Sequence, residues 1–252
     1  MDINDELLYE VVDSIATITI NRPDARNALN AAVRNGIRTS LELFTRDDQA
    51  KVLIITAMGD VAFSAGADLK EMSEQKLTIP PADFIPDLAT HKPVIAAVNG
   101  AALGGGFFLV QQADLVIAAD HATFGITEAR HGRGAPWAAP LPLMIAPRVA
   151  LELLLTAQPI TAARARDVGL VNYVVPSTEL ATASRVLAEQ IATNAPLSVA
   201  AGKAMVRNTL EAVLGDARQR AHALWNPVYL SEDAQEGHLA FKEKRLPRWQ
   251  GR

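Results

Sequence analysis

The chain has 252 residues, of which 49% are hydrophobic and 21% are charged, and its formal net charge is −4. This composition is typical of a globular protein with one substantial core, and it excludes fibrous and intrinsically disordered classes. The small net charge and the lack of an aromatic–basic stripe argue against a nucleic-acid-binding protein. Because there are no cysteines, disulfide scaffolds, thiol catalysis and thiolate metal sites are excluded.

The N-terminus and the most apolar stretch bear on location. Residues 1–6 are acidic and lack the basic-then-apolar order of a signal peptide. Residues 94–110 are the most apolar, but Asn99 and four glycines interrupt them. Since a membrane span needs about 20 apolar residues, we expect no membrane association and a cytoplasmic protein.

The first half of the chain predicts alternating strands and helices. Two β-rich runs, 8–13 and 15–21, meet at Asp13-Ser14 and predict a hairpin. Apolar residues then recur at helical spacing and predict a helix over 30–45: Val33, Ile37, Leu41 and Phe44. Short apolar runs predict buried strands at 52–56, 93–98 and 115–119. This order predicts an α/β core with parallel strands.

The second half is mostly helical. A short helix over 162–168, closed by Gly169, precedes a strand over 171–175. Further helices are predicted over 178–192, 197–214 and 231–244, the last one beginning with a plausible cap and an acidic first turn. The turn at 194–196 contains Pro196 and is the predicted boundary between the α/β core and the C-terminal helices. Residues 1–194 would then form the α/β core and residues 195–252 a helical appendage.

Two glycine-containing segments each follow a predicted buried strand, at 63–70 (FSAGADLK) and 99–106 (NGAALGGG). Ligands of α/β sheets collect at such strand ends, and glycine lets the backbone itself approach them. Two such turns could therefore aim two N–H donors at one carbonyl oxygen. Neither is a dinucleotide fingerprint, because Leu109 stands where a third glycine would fall. The alternative for 104–106 is tight helix–strand packing.

Several segments together resemble the crotonase (enoyl-CoA hydratase/isomerase) superfamily. They are 21–30 (NRPDARNALN), 63–72, 92–100 (KPVIAAVNG), 113–115, 124–125, 169–171 and the ending 240–245 (AFKEKR). The resemblance covers nearly the whole chain with its motifs in the right order. It implies an α/β fold, a spiral of ββα units with a C-terminal helical region that builds trimers, often paired into hexamers. It also implies an acyl-CoA substrate, with CoA part of the substrate and no separate cofactor.

The resemblance also implies the roles of particular residues. The oxyanion hole would be the backbone N–H groups of Ala67 and Gly105. Contacts with CoA would map to seven residues: Ala25, Arg26, Ala28, Ala65, Asp68, Leu69 and Lys70. Lys70 would reach a CoA phosphate, or else be an exposed helix lysine. Phe241 and Lys244 match positions that touch CoA across subunits in relatives, whereas most of the basic tail would be solvated.

Hydratases of this family use two glutamates, and this chain retains one of them. The first position holds Phe108 and the second holds Glu128. A carboxyl group against apolar walls has a raised pKa, which suits acid/base work near neutrality; the alternative is a surface ion pair with Arg130. One glutamate suffices to move a double bond, and 128–137 resembles 3,2-trans-enoyl-CoA isomerases. Since some single-glutamate relatives hydrate or cleave their substrates, hydration stays open.

Other polar residues leave alternatives open. His131 is either a second acid/base group or a half-exposed loop histidine. The other histidines show no metal-ligand spacing, so no metal site is expected. Ser64 lies in FSAG and not in G-x-S-x-G, which argues against a serine hydrolase. Trp225 and Tyr229 either cover an acyl pocket or pack in the core. A catalytically weak acyl-CoA-binding protein or scaffold is the alternative to an enzyme, and the retention of Glu128 argues against it.

Overall fold

The computed structural model describes residues 2–75, 79–81 and 83–252. Within these ranges the strands are β1 (Asp2–Asn4), β2 (Leu7–Val12), β3 (Ile15–Ile20), β4 (Val52–Ala57), β5 (Ala62–Ser64), β6 (Val94–Val98), β7 (Ala101–Leu103), β8 (Leu115–Ala119), β9 (Thr123–Gly125), β10 (Ile160–Thr161) and β11 (Tyr173–Val175). The helices are α1 (Ala31–Arg46), α2 (Leu69–Gln75), α3 (Gly105–Gln112), α4 (Leu141–Met144), α5 (Pro147–Thr156), α6 (Ala162–Asp167), α7 (Leu180–Ala192), α8 (Pro196–Leu214), α9 (Ala217–Leu230) and α10 (Glu232–Lys242).

The larger sheet has the strand order β1-β2-β3-β4-β6-β8-β11. It is parallel from β3 onward, as the alternation of apolar runs and helices predicts. The β2–β3 pair is the predicted antiparallel hairpin, and Asp13 and Ser14 in its turn adopt φ values of 49° and 66°. All five residues of β6 are buried, since neighbouring strands flank it and helices such as α7 pack on the sheet.

A smaller sheet runs beside the first, in the order β10-β9-β7-β5. Each central strand of the larger sheet is followed by one short strand of the smaller sheet: β5 after β4, β7 after β6 and β9 after β8. A helix then follows β5 and β7, so the chain winds as a spiral of ββα units. The sequence does not reveal these strands, because two or three residues are too few to show a period-2 pattern.

Five helices, α1, α6, α7, α8 and α10, agree with the ranges that the sequence predicts. The Asn30 side chain caps α1 by accepting the Val33 N–H at 3.0 Å, and Ser231 caps α10 by accepting the Ala234 N–H at 3.1 Å. Both interactions satisfy free N–H groups at helix starts. Helix α9 was not predicted, because it contains Pro227, which normally breaks a helix interior.

Helix α8 lies on the outside of the core and buries only Leu214 among its residues. It is held in place largely by charge: Lys203 and Arg207 bind Asp114 at 2.7 and 2.8 Å. Leu197, at the start of α8, is 87% exposed. Helices α8 and α10 agree with the predicted helices over 197–214 and 231–244, while the domain boundary and the trimer or hexamer stay predictions. Across the described ranges, no helix has the length and apolarity needed to cross a bilayer.

Candidate functional site

The two glycine-bearing turns meet at Gly66, which adopts a φ of +93°. A Cβ atom at Gly66 would lie 2.9 Å from the Leu103 carbonyl oxygen and 3.1 Å from the Gly105 nitrogen. Only glycine permits both this backbone conformation and this close approach. The buried Ser64 hydroxyl accepts the Gly66 N–H at 3.1 Å, which fixes the turn. The sequence prediction that the two turns face each other is therefore confirmed.

The backbone amides of Ala67 and Gly105 are available at this meeting point. Gly105 is the first residue of α3, where the N–H groups of a helix have no intrahelical partner. Ala67 pairs with Leu29 through an isolated bridge in which the Leu29 N–H donates to the Gly66 oxygen. Over 2–75, 79–81 and 83–252, neither amide donates a backbone or side-chain hydrogen bond. The two donors can therefore serve a ligand.

The neighbouring glycines also have packing roles, so the alternative interpretation of 104–106 is correct as well. A Cβ atom at Gly106 would lie 2.4 Å from the Ser64 oxygen, and one at Gly105 would lie 2.9 Å from Ile85 Cδ1. Glycine at Gly106 thus lets α3 pack directly on β5. The same residues that allow close packing also bring the Gly105 amide to the Gly66 turn.

Glu128 begins a short 3-10 turn, Glu128–His131, that follows β9. A Cβ atom at Gly104, whose φ is +52°, would lie 3.1 Å from Glu128 Oε1, so the carboxyl group lies against the glycine turn. Its Oε2 atom is buried and has no hydrogen-bond partner among the described residues. The predicted ion pair with Arg130 is not among the ion pairs of this part of the chain, and Arg130 is exposed.

Burial raises the pKa of Glu128 to about 7. The side chain of Trp137 and the amides of Glu128 and Thr127 lower it, but they offset only part of the desolvation. A carboxyl group with this pKa exists in both forms at neutral pH and can accept and return a proton. The sequence predicted this raised value from apolar surroundings.

A cavity of about 1420 Å³ opens beside these groups. Nine of the predicted residues and turn glycines line it: Ala65, Gly66, Ala67, Leu69, Gly104, Gly105, Phe108, Glu128 and His131. The structure therefore brings the predicted oxyanion donors and the predicted acid/base residue to one cavity. Among the described residues, no group of three or more His, Cys, Asp or Glu is placed to hold a metal ion.

One wall of the cavity is aromatic. The Phe108 ring stacks on Trp137 with centroids 5.6 Å apart and an interplanar angle of 28°. Phe107 packs edge-on against Trp137 at 6.1 Å. Trp137 therefore both supports Phe108 and contacts Glu128, a role that sequence reasoning missed although 128–137 was singled out. The nearest signal was the tryptophan itself, which needs a partner for its N–H group when it is buried.

The residues predicted to contact CoA lie in two loops that are joined by hydrogen bonds. The Ala65 N–H donates to the Arg26 oxygen at 3.0 Å. Ala25 and Arg26 are exposed, and so is Lys70 at the start of α2. Asp68 binds Arg22 at 2.9 Å and accepts the Lys70 N–H at 3.1 Å. These contacts give Asp68 a structural role besides the predicted one, while Ala28 lies half-buried in the first loop.

Burial raises the pKa of Asp68, but its hydrogen bonds outweigh this effect and the net pKa is lowered. The lowering groups are the Arg22 guanidinium and the amides of Glu71 and Lys70. Asp68 is therefore ionised at neutral pH and stabilises the start of α2, where a negative charge is favourable.

The C-terminal helices cover the Glu128 turn. Tyr229 on α9 donates its O–H to the Gly134 oxygen at 2.9 Å, and Trp225 packs against Gly134. Gly237 on α10 is so close to the turn that a Cβ atom there would lie 2.3 Å from the His131 oxygen. Both tail aromatics thus pack against this turn, and Tyr229 also lines the cavity.

His131 lines the cavity and packs edge-on against Phe241, with ring centroids 5.5 Å apart. Burial and the charge of Arg130 lower the pKa of His131, so it is neutral at pH 7. Phe241 is 53% exposed, and neither it nor Lys244 is among the residues that line the cavity of this chain. Their contact with CoA across subunits stays a prediction.

Two further cavity residues had no predicted role in ligand binding. Gln111 is 6% exposed, and neither atom of its amide has a hydrogen-bond partner within the described part of the chain. Arg133 places its Cζ 5.0 Å from the centroid of the Tyr229 ring. Gln111 gave no sequence signal beyond its place on α3, and Arg133 gave none beyond its charge.

The ββα spiral, the helical C-terminal region and the paired glycine turns define the class of protein: an acyl-CoA enzyme of the crotonase fold. The family model described as enoyl-CoA hydratase/isomerase matches residues 10–252. The chain therefore belongs to the enoyl-CoA hydratase/isomerase family of the crotonase superfamily.

Relatives in sequence cover nearly the whole chain. A carnitinyl-CoA dehydratase from Salmonella arizonae is 40% identical over 94% of this chain and 95% of its own length. A carnitinyl-CoA dehydratase from Escherichia coli is 41% identical over 95% of this chain and 96% of its own length. The full-length match agrees with the resemblance seen in the motifs.

Solved structures show the same fold. A carnitinyl-CoA hydratase from Mycobacterium avium superposes with a TM-score of 0.89 and 40% identity, over 99% of this chain and 100% of that one. An enoyl-CoA hydratase from Mycobacterium tuberculosis superposes with a TM-score of 0.82 and 34% identity, over 90% and 100% of the two chains. The fold prediction is confirmed.

Proposed function

We propose that this enzyme binds an acyl-CoA thioester, stabilises its enolate with the amides of Ala67 and Gly105, and transfers the proton with Glu128. The observation that carries the proposal is the buried carboxyl group of Glu128, with a pKa of about 7, against the Gly104–Gly105 turn. When a base removes the α-proton of a thioester, negative charge develops on the carbonyl oxygen. Two fixed N–H donors stabilise that charge better than mobile water does.

The CoA moiety would lie along the two joined loops. Ala65 and Leu69 line the cavity, and the exposed Arg26 and Lys70 are their neighbours in space and sequence. Cations at this place suit the phosphates of CoA, which Lys70 would bind as a point charge. CoA belongs to the substrate, and the proposed steps use no separate cofactor.

The geometry favours double-bond isomerisation of a 3-enoyl-CoA. Glu128 would take a proton from C2, the electrons would delocalise onto the thioester oxygen, and the same carboxyl group would return the proton to C4. This reaction needs one acid/base group and no bound water. The stacked rings of Phe108 and Trp137 supply an apolar wall where hydratases have a second carboxyl group.

A second candidate is the reversible dehydration of a 3-hydroxyacyl-CoA. It is favoured by the full-length relatives named carnitinyl-CoA dehydratase, at 40–41% identity. Here Glu128 would take the C2 proton, the C2=C3 bond would form, and the C3 hydroxyl would leave as water after protonation. One carboxyl group would then have to serve both steps.

The test compares 3-enoyl-CoA and 2-enoyl-CoA substrates in deuterated water, read by mass spectrometry. Product mass separates hydration from isomerisation, and the label reports proton exchange at C2 and C4. Glu128→Gln should lower both turnover and exchange by about 10²–10⁴-fold, since positioned acid/base catalysis is worth that much. CoA binding, measured by calorimetry, should be retained. Turnover within about twofold of the parent would contradict the role of Glu128.

Phe108→Glu tests the choice between the two reactions, with Phe108→Leu as an apolar control. Phe108→Glu should raise hydration relative to isomerisation, because a carboxyl group can hold water near C3. It should also cost stability, since a second acid would be buried beside Glu128. Phe108→Leu should leave the ratio of hydration to isomerisation low. A parent that hydrates at least as fast as it isomerises would favour the dehydratase instead.

A further inference from the structure

Helix α1 carries an arginine, Arg34, that is only 7% exposed. We infer that Arg34 is a positioning residue that holds the amides of Ala67 and Gly105 in the orientation that carbonyl binding needs. The inference rests on the proposed function, because it gives a cause for the geometry of those two donors. Arg34 is not among the described residues that line the cavity, so it would act through its neighbours and touch no substrate.

Leu29 connects Arg34 to the Ala67 amide. The Leu29 N–H donates to the Gly66 oxygen at 2.8 Å. The Gly66 carbonyl and the Ala67 N–H belong to one planar trans peptide group, so they point in opposite directions. A hydrogen bond that fixes the Gly66 oxygen therefore also fixes the direction of the Ala67 N–H. The Leu29 oxygen in turn accepts a hydrogen bond from Arg34 Nη1 at 2.6 Å.

The same guanidinium is connected to Gly105 through Phe84 and Ile85. It lies over the Phe84 ring, with Cζ 4.1 Å from the centroid. The next residue, Ile85, is buried against Gly105, where a Cβ atom would lie 2.9 Å from Ile85 Cδ1. Leu29 packs on the same point, with its Cδ1 atom at 3.4 Å. Arg34 therefore holds both of these neighbours of Gly105, one through its carbonyl oxygen and the other through the adjacent ring.

Glu71 keeps the guanidinium in place. Its Oε2 atom accepts a hydrogen bond from Arg34 Nη1 at 2.8 Å, and its Oε1 atom accepts the Ala31 N–H at 3.0 Å. Glu71 belongs to α2, which begins two residues after Ala67, so the ion pair joins α1 to the segment that carries the first donor. The guanidinium thus has fixed partners on three sides: a carboxylate, a carbonyl oxygen and an aromatic ring.

Stability alone does not explain an arginine at this position. A buried ion pair is weak evidence for stability, since apolar residues of similar volume often replace it without loss. An apolar side chain, however, has no N–H group for the Leu29 oxygen. Misplacing a reacting group by about 1 Å can cost about 10²-fold in rate. A residue outside the cavity can therefore control turnover by fixing the direction of the two amides.

The experiment compares a saturated acyl-CoA thioester with the S-alkyl-CoA thioether of the same length, which lacks the carbonyl oxygen. Calorimetry gives the affinity of each compound. Infrared difference spectroscopy with a ¹³C=O label gives the carbonyl stretching frequency of the bound thioester. For the parent we expect the thioester to bind about tenfold more tightly than the thioether, as two modest hydrogen bonds would give.

Arg34→Met removes the hydrogen bond to Leu29 and keeps an apolar stem. The preference for the thioester should fall to about twofold or less, while the affinity for the thioether should stay within about twofold of the parent. The carbonyl frequency should rise, because the amides polarise the oxygen less. With an enoyl-CoA substrate, kcat should fall about 10–100-fold. A general loss of folded protein would lower both affinities alike and leave the carbonyl frequency unchanged.

Three further variants separate positioning from stability. Arg34→Met leaves Glu71 buried without this cation, which costs stability. The double variant Arg34→Met/Glu71→Gln removes that charge and keeps an oxygen for the Ala31 N–H, so it should unfold near the parent's temperature and still lack the thioester preference. Arg34→Lys should recover most of the preference, since one nitrogen makes both bonds of Nη1. Arg46→Met, at the exposed end of α1, should change neither affinity.

A parent-like thioester preference, carbonyl frequency and kcat in Arg34→Met or in the double variant would overturn the inference. If Arg34→Met does not fold, the double variant decides. Failure of the proposed function would look different: the parent itself would bind thioester and thioether equally, and Glu128→Gln would leave turnover unchanged. The inference would then be overturned together with the oxyanion site.

Discussion

The two sides of the cavity are built by different means. On the core side, backbone amides at Ala67 and Gly105 are presented by turns in which Gly66 leaves no room for a side chain. The second side is made of side chains, with Glu128 against the glycine turn and Arg133 further along the same segment, which α9 and α10 cover from the far end of the chain. The first side depends on close backbone packing, and the second depends on side-chain chemistry and on the tail.

This difference separates what the family shares from what each member changes. A backbone amide is the same in every residue except proline, so an oxyanion site made of amides survives sequence change if the glycines remain. Side chains such as Phe108 and Arg133 can be exchanged one at a time without moving the turns. We therefore expect the carbonyl-binding side to define the family chemistry and the other side to define the reaction and the acyl group.

The largest effect is expected at Gly66, on the side of the cavity that is built from backbone amides. Gly66→Ala would place a Cβ atom 2.9 Å from the Leu103 oxygen and 3.1 Å from the Gly105 nitrogen, so the two turns must separate. We expect turnover to fall by about 10²–10³-fold, the usual cost of losing one oxyanion donor. Steady-state kinetics with an acyl-CoA substrate measure this effect.

Gly59→Ala is the matched control, because Gly59 has a similar φ of +85° but only Pro23 within reach, at 3.6 Å. Both variants should lose about 1–3 kcal/mol of unfolding free energy to backbone strain. Only Gly66→Ala should also lose enzymatic activity. Equal activity in the two variants would show that the contact of the turns is dispensable.

The buried state of Glu128, on the side-chain side of the cavity, can be tested through the pH dependence of the free energy of unfolding. The pKa of Glu128 is raised from 4.5 to about 7 in the folded state, so the folded state binds this proton more tightly than the unfolded state does. Stability from this group is present below the unfolded pKa and is lost as the pH rises through 7. From about pH 4 to about pH 8 the loss amounts to about 3 kcal/mol.

Glu128→Gln removes that titration. Urea unfolding of parent and variant across this pH range should show the variant gaining about 3 kcal/mol relative to the parent as the pH rises. If the difference between the two proteins were independent of pH, the carboxyl group would titrate normally and could not be buried as described.

The smallest expected effect concerns the contact between α10 and the Glu128–His131 turn. Gly237→Ala would bring a Cβ atom within 2.3 Å of the His131 oxygen, and overpacking of this kind costs about 1–3 kcal/mol. Gly202→Ala, in α8 with nothing within 4 Å, should instead stabilise the protein by about 0.5–1 kcal/mol. Thermal unfolding distinguishes the opposite signs. A stabilised Gly237→Ala would show that α10 does not press on the Glu128–His131 turn.

The sequence predicted features that depend on local patterns, but it did not predict contacts between distant or irregular segments. The β2–β3 hairpin, α1 and the buried strands followed from local patterns, and the facing of the glycine turns followed from their places after strands. The contact of Trp137 with Glu128 and the contact of Tyr229 with Gly134 join distant or irregular segments that carry no periodic signal. The resemblance to the crotonase superfamily supplied the two amides and Glu128, whereas the place of Arg133 beside the Tyr229 ring required coordinates.

The cover supplied by α9 and α10 has a consequence for synthesis and for proteolysis. The larger sheet and both glycine turns are complete by residue 175, so a ribosome exposes them well before it releases Tyr229 and Gly237. The paired amides, Glu128 and the Phe108–Trp137 wall are thus synthesised before the two helices that cover them. Cleavage in the exposed stretch near Gly215, between α8 and α9, would cut the covalent link between the core and this cover.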